Sequence, residues 1–222
     1  MSQVVVLSGG GRYADPWHPF PETSAALADL VREAGFTVEV SDDPDAALAA
    51  LDDAVRIIVV NAGDPQDAPP TDATAAAATA LDAALDRGVG ILAMHAAAAS
   101  LRDLPSFEHA LGARWVRDAS WHPSIGEAHV HVVGNHVVSD GLADFDVFDE
   151  RYTGLHLLGT IEPIAEHEEE GTRHPLVWAR ELGRSRLVYD ALGHDARSYE
   201  SAGHRDLLTR ALAWLAKAPG SA

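Results

Sequence analysis

The chain has 222 residues, 47% hydrophobic and 23% charged, a composition typical of a globular protein. Its net charge of −18 disfavours nucleic acid and anionic membrane surfaces as partners, because both repel a strongly acidic protein. It contains no cysteine, which excludes disulfides, thiolate metal ligands and a cysteine nucleophile. No signal-peptide pattern opens the chain and no apolar run approaches the roughly 20 residues of a membrane span, so we expect a cytoplasmic protein.

The first half of the chain alternates between short apolar runs and amphipathic segments. The predicted strands cover residues 3–8, 36–40, 55–63 and 89–94. The predicted helices cover residues 22–35, 44–53 and 71–88. Nearly continuous apolar strands that alternate with helices indicate a parallel sheet covered on both faces. Sheets of this kind carry their binding sites at the carboxyl ends of the strands.

The second half has a different pattern. Residues 127–134 alternate between polar and apolar, which predicts a half-exposed strand. Further strands are predicted over residues 163–170, 175–181 and 185–193, and a final helix over residues 204–217. We interpret the acidic run "EHEEEG" as a solvated turn, and we expect one domain over residues 1–222.

Twelve histidines is a high number for this length. His129 and His131 alternate along a predicted strand and are expected to share one face. Four others lie in polar surroundings and are expected at the surface: His109, His167, His174 and His204.

The remaining histidines of interest lie where predicted elements end. His18 follows the first strand, His95 follows the fourth, and His194 follows the strand "RLVYDAL". If these strands are parallel neighbours, the three loops open on the same edge of the sheet. Imidazoles that converge there, with a carboxylate, could bind a divalent metal or share acid–base work. Taken singly, each histidine is equally well explained as a loop cap, and the spacing matches no zinc motif such as HExxH.

Other candidates lie in similar positions. His122 is found in "ASWHPS", and "FDERY" contributes Asp149, Glu150 and Tyr152. The tryptophans that could stack on a sugar ring are Trp17, Trp121 and Trp178. Anchoring of loops in the core explains these tryptophans slightly better.

Several of these segments together resemble the trehalose-utilisation, ThuA-like family. They include "GVGILAMHAAA", "FDERY" and "PLVWARELGRSRLVYDALGHD", and the similarity extends over nearly the whole chain. The resemblance implies a class I glutamine amidotransferase-like fold, which is an α/β, flavodoxin-like three-layer sandwich with a mainly parallel sheet. In true amidotransferases the corner after the fourth major strand carries the catalytic cysteine. Here His95 stands at or beside that corner, and the chain has no cysteine anywhere, so the usual glutaminase chemistry is excluded.

The family is associated with the use of trehalose and related disaccharides, in pathways that pass through 3-keto sugars. The resemblance therefore implies a small-molecule sugar as the partner. This chain departs from the family pattern at His136-Val137, where a histidine–proline pair is common. It also departs in "GRYADPWHPF", where a Gly-His pair is usual. Both departures leave the exact sugar open.

We therefore expect a carbohydrate-processing enzyme, which could form a homo-oligomer. The predicted catalytic residues are His95, Glu150 and His194, and the same three are the predicted ligands of a divalent zinc, manganese or nickel ion. The predicted substrate-binding residues are Trp17, His18, His122, Asp149 and Tyr152. Without a metal, His95 would act as a general base oriented by a carboxylate. The alternatives are a non-catalytic sugar-binding or accessory protein and a purely structural histidine cluster.

Overall fold

The computed structural model describes residues 3–66 and 68–217. In chain order its strands are β1 (Gln3–Ser8), β2 (Thr37–Ser41), β3 (Val55–Asn61), β4 (Gly90–Met94), β5 (Ala113–Arg114), β6 (Gly126–Val132), β7 (Phe145–Asp149), β8 (His156–Leu157), β9 (Glu162–Glu169), β10 (Thr172–Leu182) and β11 (Ser185–Asp190). Its α-helices are α1 (Phe20–Glu33), α2 (Pro44–Ala49), α3 (Asp72–Arg87), α4 (Pro105–Leu111) and α5 (Ala202–Leu215). The 3-10 helices are Gly11–Tyr13, His95–Ala99 and Ala196–Glu200.

Nine of the strands form one sheet in the order β2-β1-β3-β4-β11-β10-β9-β6-β7. Strands β2, β1, β3, β4 and β11 are parallel, and the other four continue the sheet in antiparallel fashion. The inner parallel strands β3, β4 and β11 are almost entirely buried, as expected for a sheet that is covered on both faces, whereas the edge strand β2 is largely exposed. Their carboxyl ends lie at one edge, where the loops that carry the candidate residues begin.

Helices cover both faces of this sheet. α1 and α5 contact each other and pack on the central strands, whereas α3 contacts α2 and α4. This arrangement confirms the predicted α/β three-layer sandwich with its mainly parallel sheet. Among the residues that the structure describes, no helix combines the length and apolar character needed to cross a membrane.

The helix ends follow the local sequence signals. Thr71 accepts the backbone N–H of Thr74 at the start of α3, and Gly88 ends the helix in a left-handed conformation, both at the predicted positions. The chain after β1 passes so close to Asp42 that only glycine fits at position 10. A Cβ atom on Gly10 would lie 2.1 Å from the carbonyl oxygen of Asp42. The missed elements include α4 and β7, which have only seven and five residues and are too short to show a clear period.

The acidic run "EHEEEG" is not a solvated turn. Strand β9 continues through Glu169, and only Glu170 and Gly171 form the turn to β10. The side chain of His167 points into the core between charged neighbours that face outward, because successive residues of a strand face opposite sides.

The predictions of surface positions for His167 and His204 are wrong. Both side chains are fully buried, whereas His109 is exposed and His174 is half-buried. The polar residues next to them in sequence gave no sign of this burial.

The tryptophans also differ from one another: Trp178 is buried and donates from Nε1 to the Leu111 carbonyl, whereas Trp17 and Trp121 are 66% and 42% exposed. The preference for a core role was therefore right for Trp178 and wrong for the other two.

The burial of His167 leads to a pH-dependent stability. Burial lowers the pKa of His167 to about 4, so folding favours its neutral form. Its contribution to stability is present above the ordinary imidazole pKa of about 6.5 and is lost as the pH falls from there towards 4. Urea unfolding between pH 7 and 4 should therefore show a steeper loss in the wild type than in His167→Gln. The variant His109→Gln is the control, since His109 is an exposed histidine. Parallel curves for the wild type and His167→Gln would refute this interpretation.

Candidate functional site

Three histidines meet where the parallel strands end. His18 lies in the loop between β1 and α1, His95 directly follows β4, and His194 follows β11. The ring centroids of His18 lie 5.1 Å from His95 and 5.0 Å from His194, and those of His95 and His194 are 5.3 Å apart. The three loops therefore open on the same edge of the sheet, as the strand order requires.

His95 is held firmly at the corner after β4. Its backbone is left-handed, with φ at 41°, which is uncommon for a residue other than glycine. Its Nδ1 donates to the carbonyl of Ala191 at 2.7 Å, and the Tyr189 hydroxyl donates to the backbone carbonyl of His95 at 3.0 Å. The ring is buried, and its Nε2 atom has no hydrogen-bond partner among the described residues.

Glu150 brings a carboxylate between the imidazoles. It follows β7, and its Oε2 lies 3.5 Å from Nε2 of His95 and 3.1 Å from Nδ1 of His194. The buried Nδ1 of His194 also lacks an aligned hydrogen-bond partner within the described part of the chain. Burial would raise the pKa of Glu150, but the imidazoles outweigh it and hold this pKa far below its ordinary value. Burial would lower the pKa of His194, but the Glu150 carboxylate outweighs it and raises this pKa.

Asp149 supports the site from behind. Its carboxylate accepts the backbone N–H groups of Gly193 at 2.7 Å and of His194 at 3.1 Å, and also that of Glu150 at 2.8 Å. Gly193 has φ at 110°, and a Cβ atom there would lie 2.7 Å from the Tyr199 hydroxyl. Asp149 is almost completely buried and its oxygens are occupied by these N–H groups, so it positions the loop rather than facing a substrate as predicted.

Asp15, which was not among the predicted site residues, supports His18 in the same way. Its carboxylate oxygens lie 2.7 and 2.9 Å from Nδ1 of His18 and also accept the backbone N–H groups of Trp17 and His18. Nδ1 therefore carries the proton, which leaves the lone pair on Nε2 free. Burial lowers the pKa of His18 despite this carboxylate, which favours the neutral ring. An aspartate three residues before a histidine in a loop was the available signal.

The four innermost side chains fit a divalent metal ion. His18, His95, Glu150 and His194 each offer one ligand atom, and these atoms all lie within 4.8 Å of one another. Ligand atoms at about 2.0–2.1 Å from zinc are separated by about 3.3–3.5 Å in a tetrahedron, close to the 3.1 and 3.5 Å measured from Glu150. Two of the nitrogens are buried without a hydrogen-bond partner in the described residues, a costly arrangement that a bound cation would relieve.

A change in Asp15 should therefore weaken metal binding without removing a ligand. Asp15→Asn keeps the shape but loses the negative charge that fixes the His18 tautomer, and we expect about 10- to 100-fold weaker affinity. Calorimetric titration with zinc measures this change. Asp29→Asn, an exposed aspartate of α1, is the control and should bind like the wild type. An Asp15→Asn protein with wild-type affinity would show that Asp15 does not orient a ligand.

The cluster opens into a cavity of about 700 Å³, a volume typical of small-molecule sites. One wall is aromatic: the ring of Tyr152 lies 4.1 Å from His95 and 4.5 Å from Trp115. Burial raises the pKa of Tyr152 well above its ordinary value, so its hydroxyl stays protonated. Trp17 lines the exposed mouth of the cavity. The cavity thus combines ionisable groups at its base with aromatic surface on its wall and at its mouth.

Other residues have more peripheral positions. His122 lines the cavity with its Nδ1 3.6 Å from Oε1 of Glu150, but it lies outside the innermost group of four. Further residues that were not predicted also line the cavity, including Asp64, Arg102, Trp115 and Arg117. No motif marks them, because they come from separate loops that only the fold brings together.

The fold is an amidotransferase-like α/β sandwich with a histidine, His95, at the corner after β4, and the chain contains no cysteine. The family model described as "Trehalose utilisation" (ThuA) matches residues 3–215, so the chain belongs to the ThuA trehalose-utilisation family. Its family places it in carbohydrate utilisation. A comparison of the sequence with curated proteins found no match.

Solved structures support the same fold. A ThuA-like protein from Parabacteroides merdae is 18% identical with a TM-score of 0.79, covering 100% of this chain and 92% of its own. A ThuA-like protein from Bacteroides uniformis is also 18% identical, with a TM-score of 0.72 and coverage of 96% and 91%. A glutamine amidotransferase from Thermotoga maritima is 12% identical, with a TM-score of 0.60 and coverage of 97% and 98%.

Proposed function

We propose that this protein is a carbohydrate-processing enzyme that uses a divalent metal ion held by His18, His95, Glu150 and His194. The observation that carries the proposal is the convergence of these four ligand atoms within 4.8 Å at the base of a cavity of about 700 Å³. Its substrate would be trehalose or a related disaccharide, including a 3-keto form, as the family suggests. Glutaminase chemistry that depends on a cysteine is excluded, because the chain has none.

The surroundings of the cluster suit a sugar. Apolar faces of sugar rings stack on aromatic side chains, and Trp115 and Tyr152 offer such a surface beside the cluster. The exposed Trp17 offers a second surface at the mouth. Arg102 and Asp64, whose side chains are 3.0 Å apart, add charged hydrogen-bonding groups at the rim. A sugar could therefore contact aromatic surface with its ring and polar groups with its hydroxyls.

The residues divide the chemical work as follows. When bound, a divalent ion supplies a Lewis acid that polarises a carbonyl or hydroxyl oxygen of the sugar. Glu150 supplies negative charge at the pH of the cell, because its pKa is held low. Tyr152 offers a neutral O–H donor on the cavity wall, and His122 offers an imidazole outside the innermost group. Asp15 and Asp149 orient the groups that face the ligand.

Two measurements on one preparation test this proposal. Untagged protein purified without chelator should contain about one zinc, manganese or nickel ion per chain in elemental analysis. The same protein should convert trehalose or 3-keto-trehalose into products, lose this activity after chelation and regain it when metal is added. If the protein contains no metal and added metal restores no activity, the metal ion is excluded from the proposal and His95 remains as a general base. Sugar binding without turnover would instead support a non-catalytic sugar-binding protein.

A further inference from the structure

A second group of histidines and carboxylates lies at the outer edge of the sheet, away from the cavity. It consists of His129, His131, Asp144 and Asp146, and we refer to it as the edge cluster. His129 and His131 alternate on β6 and share one face, as the sequence predicted, with their ring centroids 4.7 Å apart. Asp146 lies opposite His129 on the edge strand β7, and Asp144 immediately precedes that strand. None of the four lines the cavity.

The distances in the edge cluster match those between the ligands of one ion. Oδ2 of Asp144 lies 3.6 Å from Nε2 of His129 and 3.2 Å from Nδ1 of His131. The ligand atoms of these three residues all lie within 4.8 Å of one another. Tetrahedral zinc separates its ligand atoms by about 3.3–3.5 Å, so small side-chain movements would bring all three into bonding distance.

Two further contacts hold these groups in an orientation suited to a metal. Nδ1 of His129 lies 2.7 Å from Oδ1 of Asp146, which directs its proton to that side and leaves Nε2 free towards Asp144. Oδ1 of Asp144 accepts the backbone N–H of Val132 at 2.8 Å, which leaves Oδ2 free towards the histidines. Metal-bound histidines characteristically have such a carboxylate behind the second ring nitrogen. Asp146 thus stands behind His129 as Asp15 stands behind His18.

We propose that the edge cluster is a second divalent-metal site, with His129, His131 and Asp144 as ligands and Asp146 as the partner behind His129. Two nitrogens and one carboxylate oxygen are a ligand set typical of zinc, and the exposed position leaves a fourth place for water. The ion would connect β6 to the segment that precedes β7. Strand β7 leads directly into Glu150, so the ion would restrain the strand that supplies the carboxylate of the cavity.

The test compares zinc content between variants. Untagged wild type and a His129→Ala/His131→Ala double variant are equilibrated with zinc, dialysed and measured by elemental analysis. The wild type should hold one more zinc ion per chain than the double variant. The control His109→Ala removes an exposed histidine outside both clusters and should match the wild type. Because the result is a difference, it does not depend on whether the cavity holds an ion. Equal zinc content in the wild type and the double variant would overturn the proposal and leave the edge cluster as surface ion pairs.

A second variant tests the geometry without removing a ligand. Asp146→Asn should weaken zinc affinity at the edge cluster about 10- to 100-fold in calorimetric titration. It should leave zinc binding in the cavity unchanged, since Asp146 lies outside that site. Unchanged affinity at the edge cluster would overturn the assignment of Asp146 and the metal geometry built on it.

Discussion

Glu150→Gln should abolish the proposed sugar-processing activity while leaving the protein folded. Glutamine keeps the shape of the side chain, but it removes the one negative charge in this group of three imidazoles and one carboxylate. A change in a residue that only supports a metal ligand lowers affinity about 10- to 100-fold. Because Glu150 would itself be a ligand, we expect a larger loss of metal affinity. Turnover of the sugar substrate should fall by at least about 100-fold, the lower range for loss of a catalytic acid–base group.

The charge of Glu150 also affects the pKa of His194. The Glu150 carboxylate raises the pKa of His194, so this pKa should decrease in the variant, which histidine NMR titration of the metal-free protein measures. Glu168→Gln, an exposed glutamate on β9, is the matched control and should retain metal and activity. A Glu150→Gln protein with wild-type metal content and turnover would remove Glu150 from the proposed site.

Asp190→Asn should cause the largest loss of stability. Oδ2 of Asp190 lies 2.9 Å from Nε2 of His204, and both side chains are completely buried. Breaking a buried ion pair costs about 3–5 kcal/mol, a large part of the about 5–15 kcal/mol that stabilises a typical domain. Urea unfolding measures the change. Asp206→Asn breaks an exposed pair with Arg210 on the same helix and should cost at most about 0.5 kcal/mol.

This loss of stability should depend on pH. Burial would lower the pKa of His204, but the Asp190 carboxylate outweighs it and raises this pKa. The contribution of the pair is therefore fully present below about pH 6.5 and decreases as the pH rises through the raised value. The difference in unfolding free energy between the wild type and Asp190→Asn should be larger at pH 6 than at pH 9. A difference that is small at every pH would show that the pair does not stabilise the fold.

The parallel half of the fold was predictable from sequence because its signals are local. β1, β3 and β4 each contain an apolar run of four residues, and α3 has its capping threonine and its terminal glycine. The meeting of His18, His95 and His194 at one edge was predicted only on the condition that their strands are parallel, and the structure places β11 parallel to β4. The antiparallel half was less accessible, since β7 has five residues and pairs with β6 across a separation that no local pattern encodes.

The burial of polar residues was the main feature that could not be predicted from the sequence. His204 is polar and has polar neighbours in sequence, and only the packing of α5 on the sheet places it against Asp190. Asp149 and Glu150 are adjacent in sequence, yet one supports the His194 loop from behind and the other faces the cavity. Alternation along the chain gives opposite directions for the two side chains but not which one reaches the site.

The short 3-10 helix after His95 has an electrostatic consequence. A long α-helix that began at this corner would direct the positive end of its dipole at the site, where it would stabilise an anion. The segment His95–Ala99 has only five residues in 3-10 geometry, and it ends at Ser100 without continuing into an α-helix. It therefore contributes little aligned dipole. Under the proposed function, negative charge that develops on a sugar oxygen would instead be balanced by the bound ion, because the lone pairs on Nε2 of His18 and His95 can hold a cation but cannot donate a hydrogen bond.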